Sequence, residues 1–209
     1  MAALQRVRSF ARKHEGYAIL TVSHVPFPRI DVPPMPSKTS PLRDEIKQNR
    51  PFQSAAHEAL LSLLRTSAVV QRQLALVVEP SGVTMQQYNV LRILRGAGNE
   101  GLPTLAIRDR MIEEASGITR LLDKLERASY VVRERSTPDR RQVVCRITPP
   151  GLALLEGLDA SVDATNDQVM HLLDTGEHKT LSEMLGAIRA ACQRGGEAQR
   201  SSRNGQPPR

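Results

Sequence analysis

Arg140 and Arg141 stand side by side behind Pro138-Asp139, in the run Ser136-Thr137-Pro138-Asp139-Arg140-Arg141. Pro-Asp favours a turn, so the run reads as a hairpin tip bearing adjacent guanidinium groups. Such a tip suits the narrow, strongly negative minor groove of double-stranded DNA. Asp139 can aim a guanidinium by pairing with it, which makes it a positioning residue and not a source of affinity. Upstream, Ile118, Leu121, Leu122 and Leu125 recur at i, i+3, i+4, i+7, one buried stripe of a helix over about 115–128. Ser116, Thr119, Arg120, Asp123, Lys124 and Arg127 form its polar outer face. Short polar side chains followed by arginine are the groups that read base edges in a major groove. Ser116, Gly117, Thr119, Arg120, Arg140 and Arg141 are therefore the candidate DNA-binding residues. Lys124 and Arg127 rank below them, because Asp123 and Glu126 offer them ion pairs on the helix surface.

These groups need elements to hold them. A dense apolar run from Ala55 to Val78 predicts a long helix, apolar on more than one face, that packs on several neighbours or on another subunit. Pro80-Ser81-Gly82 ends it. Thr84-Met85-Gln86-Gln87 has the pattern of a capping box opening a second helix, which runs to Gly96 or Gly98. Gly98–Pro103 reads as a short polar stretch before a third helix near Thr104–Met111. After the helix over 115–128 the period changes to that of short strands, Val131–Arg135 and Gln142–Thr148. Thr148 then caps a helix with Pro149 in its first turn, extending through Leu172 and breaking near Asp174–Gly176. A last helix shows Leu181, Met184, Leu185 and Ile188 at i, i+3, i+4, i+7. Three helices followed by a hairpin make a winged helix-turn-helix. The fold class is mainly α with a small β-hairpin.

The chain has 209 residues and a formal charge of +7. Residues 1–50 hold nine Lys/Arg against four Asp/Glu, and residues 194–209 hold four against one. The segment 104–146 carries ten basic residues against seven acidic, whereas 147–193 carries two against seven. The polarity of the middle says more than the total, because a basic block coincides with the predicted DNA face. Aromatics are 3% of the chain, which disfavours a base-stacking single-strand binder. No apolar run reaches the roughly 18–20 residues of a membrane span, so no membrane partner is expected and the chain reads as cytoplasmic. Cys145 and Cys192 form neither a disulfide framework nor a metal-ligand spacing. The five histidines form no i, i+3 or i+4 pair. No metal site, cofactor or catalytic residue is expected, and GxSxG, GxGxxG and P-loop motifs are absent, so the chain does not read as an enzyme.

Residues 1–53 read as an extended segment, with six prolines between Pro26 and Pro41. Met35-Pro36-Ser37-Lys38 makes a plausible natural start, with 1–34 as an upstream extension; the alternative is a genuine basic arm. Residues 54–192 make the folded domain, with 104–148 as its DNA-binding core, and 193–209 read as a disordered basic tail.

The run Gly117-Ile118-Thr119-Arg120-Leu121-Leu122-Asp123-Lys124-Leu125-Glu126 resembles the recognition helix of the MarR family. Val132-Arg133-Glu134-Arg135, Asp139-Arg140-Arg141 and Arg146-Ile147-Thr148-Pro149-Pro150-Gly151 resemble its wing and the entry to the next helix. Val83–Leu91 resembles its second helix. The resemblance covers roughly residues 54–192. It implies a bacterial transcriptional regulator, usually a repressor, whose N- and C-terminal helices interlace in a homodimer. It further implies a pseudo-palindromic operator and relief by a small inducer, often phenolic or acidic. Two features depart from the family pattern. Glu113 and Glu114 precede the recognition helix, where they favour its dipole but repel phosphate. Ala128-Ser129-Tyr130 stands where a glycine is frequent, which leaves the helix's left-handed cap strained or absent. Two other readings remain: a winged-helix protein-interaction module without operator binding, and a thiol-based redox switch.

Overall fold

A computed structural model describes residues 41–113, 117–135 and 143–204, with side chains described for 42–113, 117–135 and 143–195. The chain divides into two compact units, Met1–Pro51 and Phe52–Arg209. In the first unit, Pro41–Glu45 forms a short helix, α1. Pro41 suits a first helical position, and the Arg43 guanidinium closes the following turn by donating to the Gln48 and Asn49 carbonyls at 3.0 and 2.8 Å. This corrects the expectation that 1–53 is extended throughout.

The second unit begins with α2, Ala55–Val78, where Ser54 Oγ accepts the His57 N–H at 3.1 Å. A turn of 3-10 helix, Glu79–Ser81, ends it, and Gly82 takes φ +86°. The capping box is present as predicted: Thr84 Oγ1 accepts from Gln87 N–H, and the Gln87 side chain accepts from Thr84 N–H. It opens α3, Met85–Ala97. The third helix, α4, spans Thr104–Arg108, shorter than expected. α5 spans Ile118–Arg127. Gly117 sits at its N-cap position, outside the helix, while Ser116 lies outside the described residues.

The sheet has three strands in the order β1-β3-β2, from β1 Leu102–Pro103, β2 Val131–Arg135 and β3 Val143–Ile147. The sequence pattern gives no sign of β1, because a two-residue strand ending in proline has no periodicity to detect. It pairs Leu102 with Cys145 and Pro103 with Val144. Gly101, at φ +66°, lets the chain enter this pairing: a Cβ there would collide with the Cys145 carbonyl. β2 and β3 pair from Val131–Ile147 to Arg135–Val143.

Thr148 caps α6, Pro149–Met170, by accepting from Gly151 N–H. α7 spans Thr175–Asn204. Gly176 is not the break. Asp174 and Glu177 exchange side-chain and backbone hydrogen bonds at 2.9 Å, a second capping box that starts α7 one residue before Gly176. α7 also runs well past Gln193, so the expected disordered tail is helical up to Asn204. Good helix formers at Glu197, Ala198, Gln199 and Arg200 outweigh Gly195-Gly196.

Leu91, Leu94, Ile107, Leu122, Leu125 and Leu155 are among the fully buried core side chains. Of α2, only Val78 is buried, while Leu60, Leu64 and Leu76 stay exposed.

At the end of α5, where a glycine is frequent, Ser129 takes φ +59°, the left-handed conformation itself. Tyr130 N–H donates to the Leu125 carbonyl and Ser129 N–H to the Glu126 carbonyl, both at 2.9 Å, which is the Schellman pattern. The cap is thus present and strained. Ser129→Gly should raise stability by up to about 1 kcal/mol, the left-handed penalty less glycine's entropy. Ser129→Val should lower it. Thermal unfolding followed by circular dichroism checks both, and a lower midpoint for the glycine variant would contradict the cap.

Candidate nucleic-acid interface

α5 buries Ile118, Leu122 and Leu125 and packs against α3, α4 and β2. Its outer face therefore carries what remains. Thr119 and Arg120 are exposed, as expected of groups that read DNA. Gly117 is half-buried, and its carbonyl accepts the Leu121 N–H at 3.1 Å. Ser116, Asp139, Arg140 and Arg141 lie outside the described residues.

The approach to α5 is held by side-chain amides. Asn89 Oδ1 accepts the Ile112 N–H at 3.0 Å. The Glu113 carboxylate accepts from Gln71 on α2 at 2.7 Å and from Gln86 on α3 at 3.5 Å. Glu113 therefore ties the chain to α2 and α3. Glu114 lies outside the described residues.

The predicted ion pairs along α5 do not form. Asp123 and Glu126 both turn to Arg133 on β2, whose Nη2 meets Asp123 Oδ1 at 2.7 Å and whose Nε donates to Glu126 Oε2 at 2.9 Å. One guanidinium thereby serves two carboxylates at once through separate fixed donors. This pairing holds the Glu126 carboxyl below its ordinary range and pushes Arg133 further up. Lys124 and Arg127 are left exposed, without a partner among the described residues. The expected pairing partners of these two cations are thus taken up elsewhere. The missed signal is Arg133 itself, close in sequence but on another element.

On the strands, Arg146 pairs with Glu134 at 2.5 Å and donates to the Asn99 carbonyl at 2.8 Å. Arg135, at the end of β2 beside segment 136–142, is exposed and has no partner among the described residues. Further back, Arg95 on α3 grips Asp159 on α6 through both carboxylate oxygens, which joins the helix-turn-helix to α6. The described residues include no cluster of His, Cys, Asp or Glu that could hold a metal. None of their helices is long and apolar enough to cross a membrane.

Residues 83–143 match the family model described as MarR family. The transcriptional regulatory protein named for the hcr operon of Thauera aromatica is 30% identical over 133 residues, 63% of this chain and 79% of that one. The HTH-type transcriptional regulator MhqR of Bacillus subtilis is 29% identical, over 53% of this chain and 75% of its own. Among solved structures, a MarR transcription factor from Planctomyces limnophilus is 33% identical with a TM-score of 0.50, covering 68% of this chain and 98% of its own. AbsC of Streptomyces coelicolor shares the fold at 21% identity and a TM-score of 0.61, covering 69% and 99%. A mutant MarR of E. coli, solved with operator DNA, shares it at 23% identity and a TM-score of 0.56, covering 71% and 99%.

The two thiols differ in access. Cys145 is fully buried on β3 beside Thr104, and that burial pushes its thiol up from the ordinary range. Cys192 on α7 is exposed. A raised, enclosed thiol holds little thiolate, the reactive form. In a Cys192→Ser chain, a thiol reagent such as dithionitrobenzoate should therefore leave Cys145 unmodified until denaturant is added. Rapid labelling of the native variant would contradict the enclosure of Cys145.

Proposed function

The chain belongs to the MarR family of transcriptional regulators, and from that premise we propose that it binds double-stranded DNA sequence-specifically as a homodimer. The binding elements are the recognition helix, about 115–128, and the wing, about 136–142. The observation that carries this reading is the outer face of α5: its apolar stripe is buried, and Thr119, Arg120, Lys124 and Arg127 all face outward. Thr119 and Arg120 lie near the helix start, where side chains reach base edges in a helix-turn-helix. Ser116 and Gly117 contact the groove beside them. Arg140 and Arg141 enter or flank the minor groove, with Asp139 positioning them.

Dimerisation accounts for the surface that one chain leaves bare. Leu60, Leu64 and Leu76 on α2, with Met184 and Ile188 on α7, are exposed large hydrophobic residues. A soluble monomer rarely leaves long apolar helix faces open. In the homodimer these helices cover one another, and two lobes meet successive major grooves of a pseudo-palindromic operator. The domain that does this is 54–192. The regulator acts as a repressor, relieved by a small inducer.

Binding to duplexes from the chain's own upstream region, measured by gel shift, tests the reading. Arg140→Ala with Arg141→Ala should weaken operator binding by about 1–3 kcal/mol for each specific interaction removed, counted twice in a dimer, with the dimer intact. Arg120→Ala should relax discrimination between operator and scrambled duplex more than it weakens non-specific binding. Leu64→Asp should shift the chain towards monomer in sedimentation equilibrium. A wild-type chain that is indifferent to sequence and salt would favour a protein-interaction module instead.

A further inference from the structure

We propose that Arg133 sorts the charge of the DNA-facing helix: by drawing Asp123 and Glu126 onto β2, it leaves Lys124 and Arg127 unopposed for backbone phosphates, in line with the base-reading Arg120. The inference rests on the reading of α5 as the DNA-facing helix. It makes Lys124 and Arg127 phosphate-binding groups and Arg133 a positioning residue.

Two stripes run side by side along α5. Arg120, Lys124 and Arg127 are spaced i, i+4, i+7, and so are Thr119, Asp123 and Glu126. On an isolated helix the second stripe would neutralise the first, since Asp123 and Arg127 stand at the favourable i, i+4 spacing. Here Arg133 captures both carboxylates from the strand side. Its side chain is 24% exposed, against 34% for Asp123 and 39% for Glu126. Lys124 and Arg127 are exposed and have no partner among the described residues. A guanidinium keeps its charge throughout the working pH range, so the arrangement does not depend on titration.

The energetic consequence follows from distance. A helix is about 10–12 Å across with its side chains, and the screening length at 0.1 M salt is about 10 Å. Two freed carboxylates on α5 would therefore repel the phosphates that its cations attract. Paired with Arg133, they leave one net negative charge instead of two, held on the strand side of the helix.

The test is fluorescence anisotropy of the full chain with a labelled duplex of about 30 bp, long enough for two half-sites one helical turn apart, over a series of salt concentrations. Arg133→Met keeps the apolar stem but removes the charge. It should weaken binding on the order of tenfold near 0.1 M salt, with a difference that shrinks as salt rises. Adding Asp123→Asn and Glu126→Gln to that variant should restore most of the loss, because no freed carboxylate remains. Lys124→Ala with Arg127→Ala should flatten the salt dependence, by about 0.9 in the log–log slope for each phosphate no longer neutralised.

The proposal is overturned if Arg133→Met binds like wild type. It is also overturned if the triple variant stays as weak as Arg133→Met, since the arginine would then act only by holding the strand. Should circular dichroism show Arg133→Met to be unfolded, Asp123→Asn with Glu126→Gln in the Arg133 background decides. Affinity within about threefold of wild type supports charge sorting, since Arg133 already holds both carboxylates aside, and a gain of about tenfold or more refutes it, since the carboxylates would then oppose the cations in spite of Arg133. A wild-type chain that binds no duplex would instead remove the DNA-binding reading itself.

Discussion

What faces outward on this protein follows from which stripe of α5 is buried. Ile118, Leu122 and Leu125 pack under the helix against α3, α4 and β2, and Leu122 and Leu125 are fully inaccessible. Each such side chain is worth roughly 1.5–3 kcal/mol when fully buried. Domain stability is itself only about 5–15 kcal/mol. Turning α5 by one residue, about a quarter of a turn, would expose part of that stripe and drive charged groups into the core. The helix has one tolerable orientation, and its polar stripes have fixed directions as a result.

The far end of α5 sets the course of the wing. Ser129 in the left-handed conformation turns the chain into β2. Thr148, on the far side of β3, then reads that turn directly: its N–H donates to the Tyr130 carbonyl at 3.0 Å and its hydroxyl to the Ser129 carbonyl at 2.6 Å. The same hydroxyl oxygen accepts from Gly151 and caps α6. Gly151 allows the approach, since a Cβ there would lie 2.5 Å from the Tyr130 carbonyl oxygen. One threonine thus joins the exit of α5, the strand pair and the start of the long helix α6. The Arg95–Asp159 pair ties α6 to α3 from the other side.

Features whose partners lie close in sequence are legible without the structure. The capping box at Thr84, the Thr148 cap with Pro149 behind it, and the α5 stripe are patterns of three to seven residues, and all are present. Features settled by tertiary partners are not. β1 exists because β3 offers it an edge, and two residues carry no period of their own. At Ser129 the frequency of glycine misleads, because hydrogen bonds to Leu125 and Glu126 hold the serine in the costly conformation. For Asp123 and Glu126 the local default is i, i+4 pairing along their own helix. A strand arginine whose fork reaches both carboxylates wins instead. The Asp174 capping box is local too, and Gly176 draws attention away from it. At the interface, the outward placement of Thr119 and Arg120 is legible, while the availability of Lys124, Arg127 and Arg135 depends on tertiary pairings no periodicity encodes.

Those pairings change what the basic block at 104–146 means. By count it is nearly balanced, with ten basic residues against seven acidic. The described acidic residues are each engaged within the chain. Asp109 pairs with Arg108, Glu113 accepts from Gln71 and Gln86, Asp123 and Glu126 share Arg133, and Glu134 pairs with Arg146. Arg110, Arg120, Lys124, Arg127 and Arg135 are exposed without partners among the described residues. Pairing places each negative charge beside a donor, where its field is partly cancelled, and leaves the unpaired positive charges to set the local potential. Apart from Arg110, the unpaired cations among the described residues of this block thus gather on α5 and at the end of β2. The overall charge of +7 has little bearing on this, since most of the surplus falls in residues 1–50 and 194–209. For a protein that meets a polyanion, the arrangement of charge matters more than its sum, and here that arrangement is made by side-chain pairing after the fold has turned α5 outward.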